Sequence, residues 1–218
     1  MSKRTERFAR VFHFSCVQCP AHGAGEDRVR VVERDGQLIV VVADGAGGLG
    51  GGATAAELVV SMVSSSPADS QPTHDARYWV SKLLDIDAAL ARAGGGQAAA
   101  VAASVCRGEV VGAAVGDAVA WLISPSEILD LTVQAARKPL LGDGAAIPRP
   151  FGPVRLASST LLLATDGLWK YAARQVIGQR VLRAATPGPC TELIDAVRLR
   201  SGGLQDDVGV VLVRESQT

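Results

Sequence analysis

Short β-branched runs dominate the chain, with two longer stretches of helical period set among them. Val29–Val32 and Leu38–Ala43 read as strands joined by the turn Glu33-Arg34-Asp35-Gly36, because β-branched residues suit the pleated backbone and Asp-Gly suits a tight hairpin. A glycine-rich turn, Gly45–Gly52, comes next. Ala53–Ser64 then repeats Ala, Leu, Val and Met at the spacing of a helix face. After a Ser/Pro loop from Ser64 to Pro72, a second helix runs from a cap at Thr73 or Asp75 to about Ala93. Gly94-Gly95-Gly96 closes it. The texture then changes to strand-like runs, Ala98–Cys106, Val110–Val115 and Val119–Ile123, punctuated by Arg107-Gly108 and Gly116-Asp117 in the manner of a meander. Pro125–Pro153 is turn-rich with room for short strands. Ser159–Ala164 is a strongly apolar strand ending at Thr165-Asp166-Gly167. Val176–Ala185 and Thr191–Ser201 read as helices, and Val208–Val213 as a closing strand.

Strands and helices thus come in blocks. That order favours an α+β protein with antiparallel sheet over regular βαβ alternation. No internal repeat and no long linker divides the chain, so residues 1–218 are expected to form a single domain.

Composition narrows the function. Lys+Arg and Asp+Glu number 22 each, which leaves no global basic field for nucleic acid or an anionic membrane. Aromatic residues are only 4%, too few for base-stacking platforms. The apolar stretch Val11–Phe14 is too short for a signal-peptide core, and nothing later approaches the roughly 18 residues of a membrane span. A cytoplasmic location is the expectation. Cys16, Cys19, Cys106 and Cys190 make no disulfide framework in a chain this long. Cys16-Val17-Gln18-Cys19 is a solitary CxxC, and His13, His22 and His74 do not supply the rest of a zinc site. The thiols are expected to be bystanders.

The acids carry more information. Asp44 and Asp166 each end an apolar strand and precede a glycine. Asp117 lies between two strands, Asp206-Asp207 stand just before the last one, and Glu26-Asp27 just before an early one. Asp-Gly is an ordinary turn dipeptide, so each alone reads as a turn. Together they can converge on one rim of a sheet, where hard oxygen ligands bind Mg²⁺ or Mn²⁺.

In this arrangement the chain resembles the type 2C metal-dependent protein phosphatases from about Glu26 to Val213. Asp44-Gly45-Ala46-Gly47-Gly48 is similar to that family's Asp-Gly-x-Gly-Gly, and Val115-Gly116-Asp117-Ala118 to its Val-Gly-Asp-Ser. Ala164-Thr165-Asp166-Gly167-Leu168-Trp169 resembles Ser-Asp-Gly-Leu-Trp. Asp206-Asp207-Val208-Gly209-Val210-Val211 resembles Asp-Asn-Ile-Thr-Val-Val, and Glu26-Asp27 matches the acidic pair near the family's start. The resemblance implies an antiparallel β-sandwich flanked by helices, with two Mn²⁺ or Mg²⁺ ions in a cleft at one end. It implies that Asp44 bridges the two ions and that Asp166 and Asp206 complete one site. The Gly45 carbonyl and Glu26 serve the other, with Asp27 as a ligand or base, and Asp117 marks a third, weaker ion. The implied activity is hydrolysis of phosphoserine and phosphothreonine proteins, the products of a cognate kinase, by a monomer that forms no covalent phosphoenzyme.

Three departures stand out. The family's phosphate-gripping arginine lies four residues before the glutamate, where this chain has His22. A guanidinium is a bidentate, permanent cation, whereas an imidazole offers one donor and a pH-dependent charge. Ala46 replaces a residue that in many members is a histidine proposed as general acid. The stretch from Leu131-Thr132 to Leu141-Gly142 is short for the family's flap, so a reduced flap subdomain is expected. These departures keep a rival open: a phosphatase-like binding or regulatory module with little or no activity. A dinucleotide-binding reading of Gly45–Gly50 as GxGxxG is weaker, because no second strand ends in an acid about 20 residues later.

Overall fold

The computed structural model describes residues 12–34, 36–47, 51–67, 71–183 and 190–216. Within them the elements run β1 (Phe12–Cys19), β2 (Arg28–Arg34), β3 (Gln37–Ala46), α1 (Gly51–Ser64), α2 (Ala76–Ala93), β4 (Gln97–Cys106), β5 (Glu109–Val115), β6 (Val119–Ile123), β7 (Ile128–Asp130), β8 (Arg149–Arg155), β9 (Thr160–Ala164), α3 (Asp166–Trp169), α4 (Arg174–Arg183), α5 (Thr191–Val197) and β10 (Val208–Glu215). One sheet has the order β1-β10-β9-β6-β7 and the other β2-β3-β4-β5-β8, and every named pair is antiparallel. The expected α+β class and antiparallel sandwich are therefore the fold. Among the described residues, no helix is long and apolar enough to cross a membrane.

Strand alternation builds the layers. In β3, Leu38, Val40 and Val42 face a core between the sheets, where they meet Val101 and Ala103 of β4, Leu161 and Leu163 of β9 and Val211 and Val213 of β10. The alternate residues Ile39, Val41 and Ala43 face a second core under α1 and α2, around Val59, Trp79, Leu83 and Ile86. A third core joins the outer face of the other sheet to α3, α4 and α5 through Leu162, Val210, Ile177 and Ile194. Helices thus cover both outer faces of the sandwich.

Local signals place most boundaries. The side chain of Asp75 caps α2 by accepting from the Arg77 amide at 2.9 Å, and Gly94 ends it with φ 69° and its amide on the Leu90 carbonyl. Of the two cap candidates Asp75 serves, while the Thr73 carbonyl accepts from Trp79 Nε1 and Ser104 Oγ.

Several boundaries differ from expectation, among them the starts of α1 at Gly51 and of α4 at Arg174 and the end of β10 at Glu215. Phe12–Cys19 is a strand paired residue for residue with β10, from Phe12 opposite Glu215 to Cys19 opposite Val208; an edge strand with mixed polarity carries little local signal. Asp44 does not end β3, which continues to Ala46 against β4. Asp166 opens the single turn α3 instead of ending β9. The last helix stops at Val197, not Ser201: Arg198 is extended and the chain turns back with the Leu199 amide on the Gly203 carbonyl. Ala184 and Ala185 of the expected helix Val176–Ala185, Asp35 of the hairpin turn and Gly48–Gly50 of the glycine-rich turn lie outside the described residues.

Candidate metal centre

The alternation that builds the core also aims the acids. Asp44 follows Leu38, Val40 and Val42 in the row facing the other sheet, and Asp27 stands one residue ahead of β2, in step with the inward Val29 and Val31. Both carboxyls therefore enter the gap between the sheets at its open end. Asp117 arrives on the turn between β5 and β6, and Asp166 on the first residue of α3. One carboxylate oxygen from each of Asp44, Asp117 and Asp166 lies within 4.8 Å of the other two.

Two of the Asp-Gly dipeptides are not there for turn geometry. Gly45 and Gly167 do not have positive φ. A Cβ on Gly45 would stand 2.2 Å from the Gly52 carbonyl oxygen, and one on Gly167 would stand 1.9 Å from that of Asp207. In each case a neighbouring backbone passes so close that only glycine fits. The aspartates are thereby pressed against α1 and the start of β10.

The cluster is short of compensation. Asp44 is pushed up to about 9, first by burial and then by the charges of Asp27, Asp166, Asp117 and Asp206. Asp27, only 3% exposed, is pushed up to about 7, again first by burial; a hydrogen bond from Thr165 opposes the rise, and the charges of Asp207, Asp166 and Asp206 add to it. Carboxylates crowded at low dielectric favour protons or cations. Lys170 supplies one positive charge: its ammonium pairs with Asp166 and lies 3.9 Å from Asp117 Oδ2. An all-oxygen set of this kind suits a hard divalent cation, so the donor chemistry fits Mn²⁺ or Mg²⁺.

The other expected residues sit around this triad. Asp206 is close enough to raise both Asp44 and Asp27, and its Oδ1 accepts the Asp207 amide at 3.0 Å. The Glu26 carboxylate lies over the first turn of α1, where a Cβ on Gly52 would come within 2.7 Å of Oε2; it is not one of the three converging carboxylates. His22 is exposed on the same loop, its carbonyl accepting from the Gly25 amide. Arg28 and Arg30, on the alternate face of β2, both pair with Glu57 of α1 at 3.2 Å. Arg28 is further bound to the Gly25 and Asp27 carbonyls. Ala46, half-buried, stands just beyond the site on β3.

Three residues take positioning roles that the sequence did not assign to them, Asp207 having been marked only as one of the acids before the last strand. Asp207 accepts the Ala21 amide at 2.7 Å on one oxygen and the Glu26 amide at 2.5 Å on the other, stapling the loop that carries His22, Glu26 and Asp27. Thr165 bonds Asp27, and Lys170 bonds Asp166. Each is adjacent to, or one helical turn from, an acid already singled out. That was the available signal.

No family model matches the chain, and no curated protein sequence does. Solved structures do match. The serine/threonine phosphatase Stp1 from Staphylococcus aureus aligns over 100% of both chains with a TM-score of 0.78 and 19% identity. The S. agalactiae serine/threonine phosphatase gives 0.79 and 18% identity over 94% of this chain and 99% of its own. The catalytic domain of the serine/threonine protein phosphatase PstP, in complex with two manganese ions, gives 0.77 and 19% identity over 95% of this chain and 100% of its own. The chain shares the fold of these enzymes.

Proposed function

We propose that this chain is a metal-dependent serine/threonine protein phosphatase, a single catalytic domain over residues 1–218 that hydrolyses phosphoserine and phosphothreonine monoesters. The observation that carries the reading is the meeting of Asp44, Asp117 and Asp166 within 4.8 Å at the open end of the sandwich, on the fold of bacterial serine/threonine phosphatases. Asp44, Asp166 and Asp206 would hold one cation, and Asp44, the Gly45 carbonyl and Glu26 a second. Asp117 would face a third and weaker one. When bound, the cations activate water and neutralise the phosphoryl oxygens.

The chain's own residues do the positioning. Asp44 would be shared by the two ions. Asp27, held at Oδ2 by Thr165, would serve as a ligand or as the base. Asp207 fixes the loop that carries Asp27 and Glu26. His22, exposed on that loop, would serve as a phosphate ligand. No cysteine takes part. The substrates would be phosphoproteins made by a serine/threonine kinase, met in the cytoplasm by a monomer. The balanced charge of the chain supports the absence of nucleic acid and membrane among its partners.

A second reading, a phosphatase-like module without turnover, is favoured by Ala46 and the solvent-exposed His22. One experiment separates the two. Turnover of p-nitrophenyl phosphate and of a phosphothreonine peptide is expected with millimolar Mn²⁺ and is expected to vanish with EDTA. Manganese binding without turnover would select the module, and full turnover in EDTA would overturn the metal-dependent mechanism.

A further inference from the structure

Lys170 occupies a position that the proposed chemistry does not use. Asp166 and Lys170 are four residues apart across the single turn α3, so their side chains emerge on one face. The Lys170 amide bonds the Asp166 carbonyl at 2.9 Å. Trp169 donates from Nε1 to the Asp117 carbonyl at 3.0 Å, which anchors this turn over the β5–β6 connection. The ammonium is thereby delivered between two acids. It pairs with Asp166 Oδ2 and lies 3.9 Å from Asp117 Oδ2, with the lysine side chain 36% exposed and the two carboxylates 11% and 22% exposed. Arg28 and Arg30, the cations nearest along the N-terminal loop, are directed away toward Glu57.

We propose that Lys170 is a tethered cation that competes with a divalent ion for the Asp117–Asp166 corner of the cluster, so that the chain itself weakens the third metal position, the one assigned to Asp117. The inference rests on the metal-dependent reading above and adds to it a residue that sets metal affinity. A divalent ion entering at Asp117 must displace an ammonium already hydrogen-bonded to Asp166. Its net binding is reduced by whatever that pair is worth. A fully exposed pair contributes little, and a charge-assisted hydrogen bond that is partly shielded contributes more. The ammonium is also a monovalent substitute that keeps Asp166 and Asp117 compensated when divalent ions are scarce.

The test is a Mn²⁺ titration by calorimetry, run on wild type, Lys170→Met, Lys170→Arg and the double variant Lys170→Met/Asp117→Asn. Methionine keeps a long apolar stem without the charge, and the thermal melt of each protein with and without Mn²⁺ gives a second readout. The weakest Mn²⁺ is expected to bind about 3- to 10-fold tighter in Lys170→Met, with a larger Mn²⁺-induced rise in Tm. Lys170→Arg should stay within about two-fold of wild type, since it keeps a cation on the same turn. The gain should disappear in the double variant. An unchanged isotherm in Lys170→Met, with Mn²⁺ still bound, overturns the inference alone. A gain that survives in the double variant also overturns it, because the corner would then not be Asp117. No Mn²⁺ binding to any of the four proteins overturns the metal-dependent reading and this inference with it.

Discussion

Thr165 donates its hydroxyl hydrogen to Asp27 Oδ2 across 2.6 Å and accepts the Gly209 amide at 2.8 Å. With its proton committed to Asp27, this one hydroxyl ties the carboxyl before β2 to the start of β10. It fixes which way Asp27 faces. Thr165→Val should therefore lower Mn²⁺ affinity or kcat by about 10- to 100-fold, the usual cost of removing a group that orients a ligand. The buried Gly209 amide, left without this acceptor, should cost a further ~1–3 kcal/mol of stability. Thr165→Ser keeps the hydroxyl and should restore most of the activity. If serine and valine behave alike, the hydrogen bond does not position Asp27.

The acids predict a pH dependence for the metal-free protein. Burial raises Asp27 to about 7 and Asp44 to about 9, against about 3.9 for an unfolded aspartate. Between these limits the folded state binds more protons than the unfolded one, so stability falls as pH rises through that window. In EDTA, Tm should decline from pH 5 to pH 9. Asp44→Asn should flatten the decline and raise Tm at pH 8, by about 2–4 °C for each kcal/mol relieved, while abolishing activity and the stabilisation by Mn²⁺. A Tm that climbs with pH in EDTA, or an Asp44→Asn protein keeping a third of wild-type activity, would contradict this assignment.

Asp207 is expected to act at a distance from the chemistry. Its two oxygens take the Ala21 and Glu26 amides, and an amide side chain has only one acceptor oxygen for two donors. Asp207→Asn should loosen the loop and weaken Mn²⁺ binding by about tenfold, although Asp207 itself need not touch the metal. Hydrogen exchange over residues 20–27 gives the direct check: unchanged protection would rule out the staple.

His22 is tested by opposite substitutions. If its ring faces the phosphoryl group, His22→Arg should lower KM, because a guanidinium is a bidentate and permanent cation. His22→Ala should raise KM with kcat little changed, as expected when only uniform binding is lost. Identical KM values in all three proteins would assign the histidine to solvent. The phosphate ligand would then not be Arg28 or Arg30 in their present pairing with Glu57.

The cysteines should be dispensable. An extended strand separates residues three apart by about 10 Å and points them to opposite faces, and Cys16 and Cys19 stand in that relation on β1. They form neither a redox pair nor a metal clip there. Cys190 is buried, its thiol pushed up to about 11 first by burial, and its Sγ donates to the Ser15 carbonyl. Replacing all four by serine should leave kcat/KM within a few-fold, with a stability cost confined to position 190. Loss of activity in folded, manganese-loaded protein would give the thiols a role.

What the sequence determined by itself is what short-range physics encodes. Alternating apolar runs specify strands, Asp75 and Gly94 bound a helix, and acids beside apolar strands mark where strands leave a core. From these an α+β chain with antiparallel sheet and four of its helices were legible, while the sandwich and the expected roles of the acids came from the resemblance to the type 2C phosphatases. Other features depend on chain neighbours far apart in sequence, and only the tertiary structure decided them. β1 is a strand because it pairs with β10 some 190 residues later. Arg28 and Arg30 face Glu57 because β2 lies under α1 with that register. Gly45 and Gly167 are required by passing backbones and not by turns. Asp207, Thr165 and Lys170 acquire their roles only when β10, β9 and α3 reach the same end of the sandwich. Periodicity fixes which face a residue takes within its own element, but distances between carboxylates follow from sheet packing, which no local pattern contains.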